Sequence, residues 1–406
     1  MVARSATGTC SAKLGRPVSG STTVKSDPPW LRIVASDHPL SKEGSGMDIE
    51  VRRDQLGTTR RIDNPVADPV DGQALLRVDT FALSMNNVSF GITGELLGYW
   101  KLFPATEAGW GRITVFGFAD VIASRHSDLA EGTRVFGYLP MSTYLTVEPA
   151  RVSQRGFFDA SAHRREVMSS VWNYYQDVTG ASAEERAREA QRSLLGPLFV
   201  TGFLIDDFVE DNDGFGADTV VISTSSSKTA IATAYCMAQR GGRRLVGLTS
   251  AERVDFVSGL GLYDQVLSYE QVGEAAGERA VYVDFGGMQP LREEVHARYG
   301  DGLVYSMVAG MSHVDDPSGL VAPQPSAGAA PEMFMAPFQV SKRVQDWGQD
   351  TYDTRRDAAW DGFVAWTDEW LTITAGRGVD AVEAAWHSLV AGDVDPASGH
   401  QLTMWA

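Results

Sequence analysis

Residues 218–249 read DTVVISTSSSKTAIATAYCMAQRGGRRLVGLT, and the succession of patterns in this stretch decides the fold. Residues 218–223 form a short apolar run with β-branched Val220, Val221 and Ile222, which predicts a buried strand. Residues 224–229, small or hydroxylated apart from Lys228, make a turn. The alanine-dense run 230–240 predicts a helix, closed by Gly241 and Gly242. Residues 244–249 supply a second strand. Strand, helix and strand within roughly 30 residues make a βαβ unit, with the two strands parallel.

Downstream, residues 252–260 predict a helix and 265–267 a strand. Residues 280–284 predict a strand ending at Gly286-Gly287, and 303–308 predict another. Strands and helices that alternate in this way imply a parallel sheet. Upstream the texture is mostly β. Residues 72–83, 133–138 and 143–148 read as strands. Residues 112–123 read as a strand pair or a bent strand, with Gly117 marking a bulge. Ser182 stands three residues before Glu185, a capping-box spacing, and Gly196-Pro197 is expected to stop the helix that follows. Residues 317–331 hold four prolines and read as a loop. A tryptophan-rich helix around Trp360, Trp366 and Trp370, a helix at 379–390 and a strand at 399–405 complete the chain.

With 406 residues, 43% hydrophobic and 21% charged, the composition is that of a globular protein of two or three domains. There are 35 basic and 52 acidic residues, a net charge of −17. That balance argues against nucleic acid and against anionic membranes as partners. Cys10 and Cys236, the two cysteines, build neither a disulfide framework nor a Cys-rich zinc site. No run of 18 apolar residues occurs, so a cytoplasmic setting is expected. Residues 1–26 carry four basic residues, no acidic one and no apolar stripe. We expect residues 1–28 to be a disordered extension.

The chemistry concentrates at the turn. Dinucleotide folds set a pyrophosphate at the N-terminus of the first helix, where backbone N–H groups and the helix dipole attract it. The usual glycine fingerprint is absent here. Thr224, Ser225, Ser226, Ser227, Lys228 and Thr229 instead offer hydroxyls and one ammonium to phosphate, Lys228 being otherwise a helix-start surface lysine. At the end of the second strand, Thr249, Ser250 and Arg253 stand where an NAD site carries an acidic residue. Small hydroxyls beside an arginine suit a 2′-phosphate, which favours NADPH over NADH; a solvated helix start is the alternative.

The order of β-rich part, βαβ domain and return segment resembles the medium-chain dehydrogenase/reductase superfamily, and within it the zinc-independent quinone and enoyl reductases. Residues 81–89 (FALSMNNVS) resemble their "A-x-G-L-N-x-x-D" segment; residues 119–137 resemble "G-x-V … G-D-R-V-x-G"; Asp284 to Gly287 resemble "D-x-x-G-G". Trp110-Gly111-Arg112, residues 116–120, residues 225–230 and the pairs Ala336-Pro337 and Lys342-Arg343 look closer still to the DUF2855 proteins.

The resemblance implies an α/β protein with a GroES-like β-rich catalytic domain and a Rossmann-type doubly wound parallel sheet. It places the catalytic domain at 29–200, the dinucleotide-binding domain at 201–332 and the return segment at 333–406. It implies NADPH-dependent hydride transfer to an activated C=C, in an enone, an enoyl thioester or a quinone. Alternatives are a carbonyl reductase with the same cofactor, or a divergent binding protein without hydride chemistry. Tyr99 falls near the relatives' proton-donating tyrosine, and is otherwise an aromatic wall. Asn86 is placed to approach nicotinamide or substrate, and is otherwise a turn residue. His313, after a strand end, is a candidate substrate contact. No Cys or His occupies the family's catalytic-zinc positions near residue 85, and the seven histidines show no metal-ligand spacing, so no metal is expected. The related enzymes commonly pair through the Rossmann domain, which makes a homodimer an expectation.

Overall fold

The computed structural model describes residues 46–167, 170–310 and 327–406. The extension expected at 1–28, most of the proline-rich loop and His313 lie outside them.

The first half is antiparallel. Strands β1 (Gly46–Arg52), β2 (Gln55–Asn64) and β3 (Ala74–Leu83) lead to α1 (Met85–Ile92) and α2 (Gly94–Leu97). Strands β4 (Trp110–Gly111), β5 (Thr114–Ser124), β6 (Arg134–Pro140), β7 (Tyr144–Val147), β8 (Pro149–Ser153), β9 (Gly156–Asp159) and β10 (Tyr174–Asp177) follow. The short α3 (Ala183–Ala187) and the long α4 (Glu189–Asp211) lead into the second half. There the elements are β11 (Thr219–Ile222), α5 (Lys228–Arg240), β12 (Arg244–Thr249), α6 (Val254–Gly259), β13 (Gln265–Ser268), β14 (Ala280–Asp284), α7 (Gln289–Tyr299), β15 (Leu303–Val308) and β16 (Pro331–Met333). Helices α8 (Ala336–Trp347) and α9 (Gln349–Thr367), strand β17 (Thr372–Arg377), helix α10 (Gly378–Val390) and strand β18 (Ser398–Thr403) return the chain to the β-rich half.

Strands β11 to β16 form a parallel sheet in the order β13-β12-β11-β14-β15-β16. Renumbered from its first strand this is 3-2-1-4-5-6, the doubly wound order, and it reverses direction between β11 and β14. The β11–β12 pairing matches Val221 with Val246 and Ile222 with Gly247. Val220, Val221, Ile222, Val246 and Leu248 are all buried, as strands covered on both faces require. The remaining strands make a nine-stranded sheet, β17-β18-β3-β5-β6-β10-β9-β8 with β7 also on β3, antiparallel except for the parallel β17–β18 pair, and a small antiparallel sheet β2-β1-β4. Because β18 pairs with β3, the C-terminus completes the N-terminal sheet.

Two local expectations are corrected. Residues 114–124 are one strand, and its irregularities do not fall at Gly117: β5 skips Ile122 opposite Leu75 and Leu76, and β3 skips Asp79 between Val78 and Thr80. Gly117 serves a close approach instead, since a Cβ there would lie 2.2 Å from the Thr80 carbonyl oxygen. The helix expected to stop at Gly196-Pro197 runs on to Asp211, with Pro197 inside it. A proline in a helix interior costs about 3 kcal/mol. The face carrying Leu194, Leu195, Leu198, Phe199, Leu204 and Ile205 is buried. Burial at about 1.5–3 kcal/mol per large side chain outweighs that cost, so tertiary packing overrides the local stop signal. The tryptophan-rich helix α9 holds Trp360 and Trp366, while Trp370 lies just past its end and still packs on Trp366 at 5.5 Å. No helix among the described residues is long and apolar enough to cross a membrane.

Helices α4 and α5 meet backbone to backbone at Gly202, where a Cβ would stand 2.6 Å from the Thr233 nitrogen. Gly202→Ala is therefore expected to push the helices apart and lower the unfolding free energy by about 1–3 kcal/mol in urea titration.

Candidate active site

At the carboxyl ends of the parallel strands opens a cleft of about 1380 Å³, whose opposite wall comes from the nine-stranded sheet and α1. It lies at the switch point between β11 and β14, where ligands enter open α/β sheets.

The turn from β11 to α5 builds one wall. Ser227 is the N-cap of α5 and its Oγ accepts from the Ala230 N–H at 3.3 Å. The free end of a 13-residue helix, with its partial positive charge, thus faces the cleft beside Ser226, Ser227, Lys228 and Thr229. Ser225 turns away from it. Its Oγ donates to the carbonyls of Leu248 (2.7 Å) and Ile222 (3.1 Å) and staples the turn to the sheet. Thr249 lies beneath the turn, its hydroxyl 3.4 Å from that of Ser226.

Thr224 is the strained member. Its φ is +51°, a left-handed conformation that is unusual for a β-branched residue. It is 5% exposed, and its Oγ1 has no hydrogen-bond partner although it lines the cleft. The Tyr269 phenol is close enough to feel this hydroxyl, but outside hydrogen-bond geometry. Strain and an unmet polar group on one residue gather at ligand sites, where the ligand supplies the missing partner.

Lys228 and Arg253 both reach the segment before β18. The Lys228 ammonium donates to the Pro396 carbonyl at 3.3 Å, and Arg253 Nη2 to the Val394 carbonyl at 2.7 Å. Burial lowers the Lys228 pKa to about 8, with Arg253 lowering it further and Asp395 opposing. Ser250 lines the cleft and donates to Glu252 at 2.7 Å, which holds the Glu252 carboxyl below its usual range.

The facing wall starts at α1. Ser84 caps this helix, and the Asn87 Oδ1 accepts from the Ser84 N–H at 2.7 Å. Asn87 is buried and also donates to the Thr114 carbonyl at 2.8 Å, so it is structural. Its neighbour Asn86 lines the cleft. Tyr99 is stacked between Phe90 at 4.2 Å and Trp172 at 4.6 Å, and burial pushes its pKa up. Its hydroxyl has no partner among the described residues.

The structure thus gathers Asn86, Tyr99, Thr224, Ser226, Ser227, Lys228, Thr229, Ser250 and Arg253 around one cleft, and turns Ser225 and Thr249 inward. Sequence reading missed Tyr138, Trp172 and His400. Tyr138 carried a signal: β6 alternates, with Val135, Gly137 and Leu139 buried, and aromatic Phe136 and Tyr138 fall on its other face. His400 reaches the cleft because β18 pairs beside Leu83, and its ring Nδ1 lies 3.0 Å from the Thr374 hydroxyl. Burial, and then the Lys228 charge, lower its pKa. No three His, Cys, Asp or Glu side chains among the described residues gather at metal-binding spacing.

The family model of the protein of unknown function DUF2855 matches residues 81–395, and the chain belongs to that family. No curated protein sequence matches it. Among solved structures, CurA from Vibrio vulnificus superposes with a TM-score of 0.56 at 12% identity, covering 88% of this chain and 99% of its own. Its complex with NADPH gives 0.54 at 12%, covering 89% and 99%. A protein from Mesorhizobium loti assigned as an NADPH:quinone reductase gives 0.56 at 13%, covering 89% and 99%. At such identities the likeness is one of fold, a GroES-like β-rich part joined to a Rossmann-type parallel sheet.

If Thr224 keeps its hydroxyl for a ligand, Thr224→Val is expected to leave the unfolding free energy of the ligand-free protein unchanged or raise it by about 1 kcal/mol. A structural hydroxyl would show a loss in the same denaturant titration.

Proposed function

We propose that this member of the DUF2855 family is an NADPH-dependent oxidoreductase that reduces an activated C=C in an enone, enoyl thioester or quinone, without zinc. The observation that carries the reading is the cleft. It sets a helix N-terminus with an unpartnered threonine hydroxyl and two cations opposite Asn86 and Tyr99. The NADPH seen with CurA and the quinone-reductase assignment of the Mesorhizobium loti protein are consistent with it.

On this reading residues 201–332 bind the dinucleotide, and residues 29–200 with 333–406 form the catalytic part. The α5 N-terminus with Thr224, Ser226, Ser227, Lys228 and Thr229 holds the pyrophosphate, by backbone N–H groups and side-chain donors together. Arg253, next to Ser250, takes the 2′-phosphate by a forked contact that lysine would not give. When bound, the reduced nicotinamide supplies a hydride. Asn86 orients the reacting face, and Tyr99, kept protonated by burial, offers a proton at its hydroxyl. Residues near 85 offer no thiolate or imidazole for zinc. The protein works in the cytoplasm, and β16 is the sheet edge through which two chains would pair.

One observation favours a second reading. Lys228 and Arg253 already meet the carbonyls of Pro396 and Val394, as in a binding protein that has given up its dinucleotide. Fluorescence titration separates the two. The expected result is saturable NADPH binding, at least about tenfold tighter than NADH, with Arg253→Ala erasing the difference. Failure to bind either cofactor sinks the reductase reading.

The Lys228 pKa also sets a pH dependence. The group is charged below about pH 8 and neutral above it. Affinity for NADPH should therefore fall as pH rises through that region. Isothermal titration from pH 6.5 to 9.5 should show the slope in the wild type and a flat profile in Lys228→Met.

A further inference from the structure

The aromatic end of the cleft holds two phenols, and the reductase reading uses one. Tyr99 is clamped by stacking on Phe90 and Trp172. Tyr138 also neighbours Phe90, at 6.3 Å with the rings tilted by 36°, and packs on Phe116 at 4.4 Å. Its backbone is pinned as well, since the Tyr175 hydroxyl donates to the Tyr138 carbonyl at 2.6 Å. Both rings line the cleft. Neither hydroxyl has a hydrogen-bond partner among the described residues, although Tyr99 is 9% exposed.

Burial raises both phenol pKa values, and the proximity of Tyr99 raises that of Tyr138 further. At neutral pH both carry their protons, so the site presents two O–H donors and no resident acceptor. Both side chains open on the cleft, so an incoming acceptor can take up these donors without displacing a protein partner. Two such donors on an aromatic floor match one oxygen that gains negative charge during a reaction.

We propose that Tyr138 is a second catalytic residue, donating with Tyr99 to the carbonyl oxygen of an α,β-unsaturated carbonyl substrate seated against Phe90, Phe116 and Trp172. The proposal rests on the reductase reading and deepens it. Hydride adds to the β-carbon and forms the new C–H bond. The C=C pair shifts to make an enolate, and the charge settles on the oxygen held by the two phenols. A proton from Tyr99 or water then closes the α-carbon, restoring the carbonyl. The substrate is reduced by two electrons and the nicotinamide is oxidised by two. A simple alkene, with no such oxygen, gains nothing from the pair and is not a substrate.

The test reads binding, not turnover. 4-Nitrophenol mimics the enolate, because its anion puts charge on one oxygen of a flat ring. Absorbance titration at fixed pH should show the protein binding the phenolate form and lowering the probe's pKa. Tyr138→Phe and Tyr99→Phe should each weaken phenolate binding at least about tenfold, and the double variant more. Tyr174→Phe, whose hydroxyl is already bound to the Arg155 carbonyl, should change nothing. Nitrobenzene, read by tryptophan quenching, should bind all variants alike if the aromatic floor is intact. Phenolate binding unmoved by Tyr138→Phe, or nitrobenzene binding lost in parallel with it, overturns the proposal. NADPH titration of the same samples separates the two failures. Phenolate held by both tyrosines without NADPH binding would remove the reductase reading and leave the phenol pair as a site for oxyanions. NADPH binding without phenolate selectivity would do the reverse.

Discussion

A buried carboxylate needs donors for both of its oxygens, and Asp284, 1% exposed at the end of β14, finds them on three elements. Its Oδ1 accepts from the Ser223 hydroxyl at 2.9 Å and from the N–H groups of Gly286 and Gly287 at 3.1 and 2.9 Å. Its Oδ2 takes the Arg292 guanidinium of α7 at 2.9 and 3.1 Å. The Asp284 backbone carbonyl accepts from Ala309 and Gly310 beyond β15. One residue therefore ties together the ends of β11, β14 and β15 and the face of α7. The switch point keeps its shape because moving the β11 end, the turn after β14 or α7 takes a donor from the buried carboxylate, and moving the β15 end leaves a buried carbonyl unmet.

That constraint explains why the sheet was legible in sequence and much of the site was not. Residues 218–249 carry local signals that tertiary structure reinforces: β-branched runs, an alanine helix, closing glycines. The run-on of α4 through Pro197 is opposite in kind, because a local stop signal yields to six buried side chains. Trp172 and His400 come from strands and turns far from Asn86 in sequence, and topology alone brings them to the cleft. The carbonyls that meet Lys228 and Arg253 belong to residues 394–396, more than a hundred positions away. No spacing rule reaches that far. The inward turn of Ser225 and Thr249 is likewise invisible in a run of hydroxyl residues, since each is as fit for a sheet staple as for a phosphate.

The chain's acidity sharpens the meaning of those two cations. Several other arginines are neutralised by carboxylates: Arg134 by Asp79, Asp120 and Glu189, Arg343 by Asp207, Asp211 and Asp346. Lys228 and Arg253 instead face carbonyl dipoles, and Asp395 is felt by Lys228 without forming an ion pair among the described residues. A carbonyl orients a cation but leaves its charge in place. In a protein of net charge −17, the wall at α5 thus keeps positive potential that an anion can use.

The missing glycine fingerprint has a physical counterpart across the turn. Glycines in such a turn allow a positive φ and a close approach of backbone to ligand or strand. Here Thr224 takes the positive φ itself. The space its side chain needs is made on the partners. A Cβ at Gly286 would come within 2.7 Å of the Thr224 Oγ1, and one at Gly247, paired with Ile222 across the sheet, within 3.0 Å of the Ser225 Oγ. The small residues have moved from the turn to the strand ends it rests on. The turn gains side-chain donors that a glycine loop lacks, and it bears backbone strain that a glycine loop avoids. Such an exchange is stable when the surrounding structure over-determines the turn, and the Ser223–Asp284–Arg292 network supplies that surplus of constraint.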